Sequence, residues 1–274
     1  VNLSTRMKSY EEVYNYKLLP RAPIIARLDG KGFHNFTKNL KLDKPFDQKF
    51  STWMSETVAT IASNIQGCMI GYTQSDEITL VIRTDQSEET TPWFDNRILK
   101  MNSILASMAT ASFMRSMLDT MEKPPVAYFD CRIGAMPNMT EVVNNLIWRQ
   151  QDCVKNSISS AAYYEIGKKI GRGTARKALH KLNSKERQEI LFQETGINWS
   201  TYKEEFKNGI VTFRKEIEVE TEHGPVIRKR WVYEAAPIFQ SDAGREWLQQ
   251  VLNPEREQDG KDKEVRQNKS SEEG

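Results

Sequence analysis

The stretch Arg21 to Phe36, RAPIIARLDGKGFHNF, decides how the chain is read. Pro23 to Leu28 is a short apolar run that ends in Asp29, and Gly30-Lys31-Gly32 follows. An apolar, β-branched run leading into a glycine turn is the pattern of a buried strand, here one that delivers a carboxylate to its C-terminal end. Two glycines let the backbone approach a ligand closely, and successive N–H groups in such a turn can cradle phosphate. A carboxylate beside a phosphate cradle is what a Mg²⁺–nucleotide site requires. A strand followed by an ordinary surface turn would look the same on this stretch alone. The spacing matches neither a Walker A loop nor the dinucleotide-binding fingerprint, because no glycine falls at the later positions those motifs need.

Working outward, Lys8 to Tyr16 reads as a short amphipathic helix before the strand. Lys44-Pro45-Phe46-Asp47 reads as a helix start, and Phe50, Trp53, Met54, Thr57, Val58, Ile61 and Ile65 then recur at helical spacing as far as Gly67. Cys68–Thr73 and Ile78–Ile82 are strand-like, and the polar residues Gln74 to Glu77 between them predict a hairpin turn. After a polar loop over 83–92, a second long helix is predicted over about 94–121 and ended by Pro124-Pro125, with a fourth strand over 126–133. Asn138 or Thr140 can cap a third long helix running to about Gly167. The order strand, helix, strand, strand, helix, strand is that of a ferredoxin-like sheet with both helices on one face. Short helices at about 174–182 and 184–195 and a hairpin over 210–218 and 226–234, turning at His223-Gly224-Pro225, complete the reading.

The 274 residues leave room for one large domain or two modest ones. A net charge of +2 makes no case by itself for nucleic acid, so the distribution of charge matters more than its sum. Three cysteines, Cys68, Cys131 and Cys153, form no Cys-x-x-Cys pair, which argues against a disulfide framework or a zinc site. No leader pattern and no bilayer-length apolar run is visible, so the expectation is a soluble, cytoplasmic protein without membrane partners. Asn253 to Gly274 carries five basic and seven acidic side chains and almost no apolar ones, the composition of a disordered tail.

In the ferredoxin-like order the first strand lies beside the hairpin of strands two and three. Asp29 then comes close to Asp76 and Glu77. Carboxylates meeting at one sheet edge repel one another unless a cation sits between them. Such a cluster suits two Mg²⁺ ions, which hold a triphosphate and lower the pKa of an attacking hydroxyl. Ser75-Asp76-Glu77 as a plain solvated turn is the alternative reading.

Three blocks carry a resemblance: Arg27 to His34 (RLDGKGFH), Tyr72 to Glu77 (YTQSDE) and Trp148 to Cys153 (WRQQDC). In this order and spacing they resemble the signature blocks of the tRNA-His guanylyltransferase superfamily, with weaker matches at Glu189 to Phe192 and Lys207 to Gly209. The resemblance covers roughly 5–240. It implies an α+β fold with a polymerase-palm core, working in the 3′–5′ direction on the 5′ end of tRNA. ATP or GTP first caps the 5′-monophosphate, and the 3′-OH of an incoming GTP then displaces the mononucleotide. If a 5′-triphosphate is present, pyrophosphate leaves instead.

Carried over position by position, the resemblance implies Asp29 and Asp76 as Mg²⁺ ligands, with the Gly30 carbonyl as a further ligand and Glu77 supporting the cluster. Gly30, Lys31, Gly32, Phe33 and His34 would hold triphosphate by their backbone, with Phe33 or His34 near the base. Ser75 would bond a phosphate. Lys44, Asp47, Arg97, Lys100 and Arg132 match polar or basic nucleotide-binding positions, the last three suited to a second triphosphate. Each also has an ordinary reading, as a turn, a helix start or a solvated helix face. Trp148 is expected as a core anchor, with Arg149 and Asp152 an i,i+3 pair. After Cys153 the sequence runs Val154-Lys155-Asn156-Ser157, where eukaryotic members have His-Ile-Asn-Asn. This departure resembles the bacterial and archaeal like-protein branch and points to templated repair of 5′-truncated tRNA. For the tRNA itself, Lys168, Lys169, Arg172, Arg176, Lys177 and Lys181 place six cations in an acid-free stretch, suited to phosphate contacts.

The expectation is therefore a palm-like catalytic core over 1–137, a helical and hairpin region over 138–252 contacting tRNA, and a disordered charged tail over 253–274. Family members are tetramers, which implies a homo-oligomer. A palm-fold nucleotide cyclase and a non-catalytic tRNA-binding protein are the rival readings, since fold alone does not fix chemistry.

Overall fold

A computed structural model describes residues 1–85, 90–222 and 224–253. His223, residues 86–89 and all but the first residue of the expected tail lie outside the described residues. The elements in order are α1 (Leu3–Glu12), β1 (Ile24–Gly30), α2 (Phe33–Asn39), α3 (Gln48–Ser63), β2 (Cys68–Gln74), β3 (Glu77–Ile82) and α4 (Ile98–Leu118). They continue with β4 (Phe129–Ala135), α5 (Met139–Ile170), α6 (Arg172–Ala178), α7 (Ser184–Thr195), α8 (Glu204–Asn208), β5 (Ile210–Thr221), β6 (Gly224–Ala235) and α9 (Asp242–Leu252).

One antiparallel sheet runs β4-β1-β3-β2-β5-β6. Its first four strands are in the ferredoxin-like order, so the expected core is present. The C-terminal hairpin joins the same sheet, because β5 pairs with β2 from Ile70↔Phe213 to Thr73↔Ile210. Alternation along β1 sorts its side chains between two cores. Ile24, Ala26 and Leu28 pack with Ile78, Leu80 and Ile82 against Trp53, Val58 and Ile61 of α3 and Leu105 and Phe113 of α4. Ile25 and Val81 join Ile70, Tyr72, Val211 and Phe213 on the other face, against Leu146 of α5 and Leu248 of α9. A strand covered on both faces must be apolar nearly throughout, which is why residues 23–28 are apolar except for Arg27.

At 32 residues, α5 is about 48 Å long. Its first half lies on the sheet, while Ala161, Ala162 and Ile166 in its second half pack against Ala175 and Leu179 near α6 and Leu191 of α7. This helix therefore joins the sheet to the basic segment. Asn138 caps it by accepting from the Glu141 N–H at 3.0 Å, so Asn138 and not Thr140 is the cap.

Several boundaries differ from the sequence reading for physical reasons. The first helix spans Leu3–Glu12 rather than 8–16, because Asn2 caps it by accepting from the Thr5 N–H at 2.8 Å. The long helix over 94–121 begins only at Ile98, since Phe94, Asp95 and Asn96 all have left-handed backbone, with φ of 49°, 55° and 56°. Trp148 is not a core anchor: it is 52% exposed, whereas Arg149 and Gln150 beside it are buried. Gln150 serves as a clamp, donating to the carbonyls of Asn208 (3.2 Å) and Pro237 (2.8 Å) and accepting from the Phe239 N–H at 2.7 Å.

Gly209 closes that clamp. Its φ is +80°, and a Cβ there would lie 2.6 Å from the Tyr72 hydroxyl, which itself donates to the Asn208 carbonyl at 2.9 Å. Gly209→Ala should therefore destabilise the fold by about 1–3 kcal/mol in urea unfolding. Gly173→Ala, in α6 with nothing within 4 Å of the added carbon, should stabilise it by up to about 1 kcal/mol through helix propensity.

Candidate active site

The β1–β3 register sets Asp29 directly opposite Glu77, and the β1–β4 register sets it opposite Asp130. The Gly30 N–H donates to the Asp76 carbonyl at 3.1 Å, locking the turn of the β2–β3 hairpin onto the end of β1. Ser75 holds that turn with a positive φ of 50° and donates its hydroxyl to Asp76 Oδ1 at 3.0 Å. Gly30 is required by close packing: a Cβ there would sit 2.4 Å from the Phe33 ring. Gly32, at φ +70°, starts α2, a helix the sequence reading did not contain.

Asp29 and Asp76 both line a cavity of about 840 Å³, together with His34, Lys44 and Ser75. This is the size range of small-molecule and cofactor sites. Arg176, His180, Lys181 and Arg187 also line it, from α6, the turn after it and α7, as do Tyr163 and Tyr164 from α5. The cavity thus has a carboxylate floor and a cationic wall. Lys44 donates to Thr37 Oγ1 at 3.0 Å and lies over the Tyr164 ring at 5.8 Å, and Arg172 lies over the same ring at 5.5 Å. Burial lowers the Lys44 pKa, with Arg172 adding to the effect and Asp47 opposing it.

Burial pushes the Asp76 carboxyl above its usual range, and Asp29 adds to this, while Ser75 and Lys44 pull the other way. Burial also raises Glu77, against the opposing guanidiniums of Arg149 and Arg27. Glu77 Oε1 is 2.8 Å from Arg149 Nε, and Arg149 Nη2 donates to Asp152 Oδ2 at 2.5 Å, so the expected Arg149–Asp152 pair is present. Glu77 is therefore engaged by a buried arginine and supports the turn. Among the described residues no group of three or more His, Cys, Asp or Glu side chains could hold a metal. A Mg²⁺ ion bound largely through waters and substrate phosphates needs only one or two carboxylates, and Asp29 with Asp76, both half-buried, fits that requirement.

The remaining sequence candidates fall into three groups. The Phe33 ring is packed in the core among Phe36, Phe50, Phe113 and Phe129, so His34 is the exposed ring of the pair. Lys31 is exposed, with its N–H bonded to the Tyr128 carbonyl at 2.9 Å. Asp47 lines the cavity, but its carboxylate caps α3, accepting from the N–H groups of Phe50 and Asp43, each at 2.9 Å. Arg97, Lys100 and Arg132 are not among the lining residues: Lys100 lies over the Phe94 ring at 4.6 Å, and Arg132 pairs with Asp130 at 3.6 Å. In the basic segment Arg176 and Lys181 face the cavity, Lys177 is exposed, and Lys168 and Lys169 pair with Glu165 and Glu194. Sequence reasoning missed Tyr164, which the second half of α5 presents to the cavity, and His180 and Arg187, which reach it through the folding of α6 and α7 back on α5.

An α+β sheet that sets two carboxylates against a cationic wall in a cavity of this size is suited to hold a nucleoside triphosphate. Residues 4–137 match the family model described as tRNAHis guanylyltransferase, and residues 140–273 match the Thg1 C terminal domain. The chain belongs to the tRNA(His) guanylyltransferase family. It is 31% identical over 218 residues to the tRNA(His) guanylyltransferase of Schizosaccharomyces pombe, covering 78% of this chain and 81% of that protein. A bacterial tRNA(His) guanylyltransferase (Thg1)-like protein in complex with ATP is 37% identical with a TM-score of 0.78, covering 92% of this chain and 99% of that one. The enzyme of Saccharomyces cerevisiae is 26% identical with a TM-score of 0.65, covering 80% and 94%.

Two predictions follow from the carboxylates. An acid whose folded pKa is raised costs stability as pH climbs through its titration range. Without divalent cation, Asp76→Asn should therefore melt higher than the parent at neutral pH, and the gap should close below the ordinary carboxylate range. Added Mg²⁺ should raise the melting point of the parent and leave the variant nearly unmoved. Arg149→Ala strands Glu77 without its partner and should cost about 3–5 kcal/mol in chemical denaturation.

Proposed function

We propose that this enzyme adds nucleotides in the 3′–5′ direction to the 5′ end of tRNA, restoring truncated acceptor ends by pairing with the opposite strand. The observation that carries the reading is the convergence of Asp29, Asp76, Lys44, Arg176 and Lys181 on one cavity. The bacterial Thg1-like neighbours, in complexes with ATP and with GTP at 37% and 36% identity, support ATP and GTP as its nucleotides. Their higher identity than the yeast enzyme at 26% supports the like-protein branch over strict tRNA-His specificity.

In the first step a 5′-phosphate oxygen of the RNA attacks the α-phosphorus of ATP, forming the capped end and releasing pyrophosphate. In the second, the 3′-OH of the incoming nucleoside triphosphate attacks the 5′-phosphorus of the RNA, and AMP leaves. Phosphoryl transfer of this kind asks the protein mainly for positioning and charge neutralisation. Asp29 and Asp76, with the Gly30 carbonyl, would hold two Mg²⁺ ions. Bound there, the metal neutralises phosphate charge and makes the attacking hydroxyl more acidic. Ser75 and the backbone of Gly30 to His34 orient the triphosphate, and Lys44, Arg176 and Lys181 compensate its charge. Residues 1–137 are the catalytic core in this reading, and 138–252, with Lys168, Lys169, Arg172 and Lys177, the tRNA-contacting region. Cytoplasmic location and a homotetramer complete the proposal.

The test is extension of a tRNA lacking its first nucleotide, given Mg²⁺, ATP and all four nucleoside triphosphates, with each base in turn at the opposite position. Addition should follow the opposite base, stop at the restored end and disappear in Asp29→Ala and Asp76→Ala, which should still bind tRNA. Addition of G whatever the opposite base would exclude templated repair. A cyclic nucleotide formed from GTP without RNA would move the chemistry to a cyclase, and tRNA binding with no product in the parent to a binding protein.

A further inference from the structure

Trp148 has no role in the reading above, and its placement is unusual for so large an apolar side chain. It is 52% exposed, yet its ring is held: the Arg149 guanidinium lies 4.0 Å from the ring centroid and that of Arg27 5.7 Å. Arg149 is in turn fixed by Glu77 and Asp152. An indole braced by a buried, doubly paired arginine loses little rotamer freedom when something settles on it, so part of the ordering cost of binding is already met.

Its neighbours include further arginines. Arg27 precedes Asp29 by two residues on the same face of β1, about 7 Å along the strand. Arg132 stands opposite Arg27 in the register, exposed and 3.6 Å from the equally solvated Asp130, a pair open enough for a phosphate to compete with. Neither Trp148, Arg27 nor Arg132 lines the cavity that contains Asp29 and Asp76. Asp29 therefore lies between two surfaces, the cavity and an open ledge of one aromatic ring flanked by guanidiniums. An enzyme that joins a nucleotide to a polynucleotide end needs two such surfaces meeting at the reacting phosphorus.

We propose that Trp148, with Arg27 and Arg132, is the stacking platform for the unpaired base of the tRNA acceptor end. This rests on the function proposed above. The indole takes the face of the base, which is a sequence-tolerant contact, and the two guanidiniums take the adjoining phosphates. A platform of this kind discriminates between ends by whether a base is free to stack, and so favours a truncated acceptor over an intact duplex end.

The experiment uses the full chain, Trp148→Leu and Trp148→Tyr, and a truncated tRNA carrying 2-aminopurine opposite the missing nucleotide, whose emission falls on stacking. Trp148→Leu should bind this RNA about 5- to 150-fold more weakly, the range that loss of a base–aromatic stack carries. It should also lose the quenching and leave KM for the nucleoside triphosphates and the melting point unchanged. Trp148→Tyr should recover most of both RNA signals. The proposal falls if Leu matches the parent, if Tyr fails as Leu does, or if nucleotide KM rises in step with RNA KM, the mark of a displaced Arg149 or of a free-nucleotide site. A parent protein that binds no truncated tRNA overturns the function itself, an outcome read separately from the variants.

Discussion

The antiparallel register of β1 on β3 is the constraint on which the site depends. Pairing from Ile24↔Ile82 to Asp29↔Glu77 puts the apolar residues of both strands in their two cores and brings the carboxylates together at one end. Side chains alternate with a period of two, so a slip by one residue would send Ile24, Ala26 and Leu28 to the wrong face. The two cores therefore enforce a placement they do not themselves use. The Gly30 N–H to Asp76 carbonyl bond then fixes the hairpin turn against the strand end. The order of causes runs from buried area to register to carboxylate geometry.

Charge compensation comes from far away in the chain. Asp76 is half-buried beside Asp29, and partial burial with that like charge raises its proton affinity. The cations that face it come from Lys44 before α3 and from Arg176, Lys181 and Arg187 past the end of α5. Holding these at a set distance requires a rigid connection, which α5 supplies by packing on the sheet with one half and on α6 and α7 with the other. Arg149, about a third of the way along it, ties it to the turn through Glu77. Helix, turn and cavity wall are thereby parts of one mechanical unit.

Legibility in the sequence followed how local each cause was. The strands and long helices of the first 135 residues were readable because periodicity reports burial directly, and the ferredoxin-like order followed from their succession. Asp29, Asp76 and Glu77 were readable because register follows from that order. What stayed hidden depended on contacts between distant segments. Nothing around Tyr164 signals that Lys44 and Arg172 will flank its ring. Trp148 was misread because an aromatic residue beside a polar block looks like a core anchor, and only the structure shows that Arg149 and Gln150 are the buried ones. The late start of α4 was hidden too, since the left-handed backbone at Phe94 to Asn96 has no glycine to announce it.

The sheet ends on β6, a strand of 12 residues that has no partner strand on its outer side among the described residues. Such an edge is a template on which another chain can lay a strand. Here Arg228, Lys229 and Arg230 fall in succession on β6, so cationic charge is present on both faces of the ribbon. A second copy approaching edge to edge would set like charges side by side along the same stretch. The hairpin can therefore extend far from the core without becoming a nucleus for fibre growth, and its solubility should depend on salt, because the repulsion that protects it is screened.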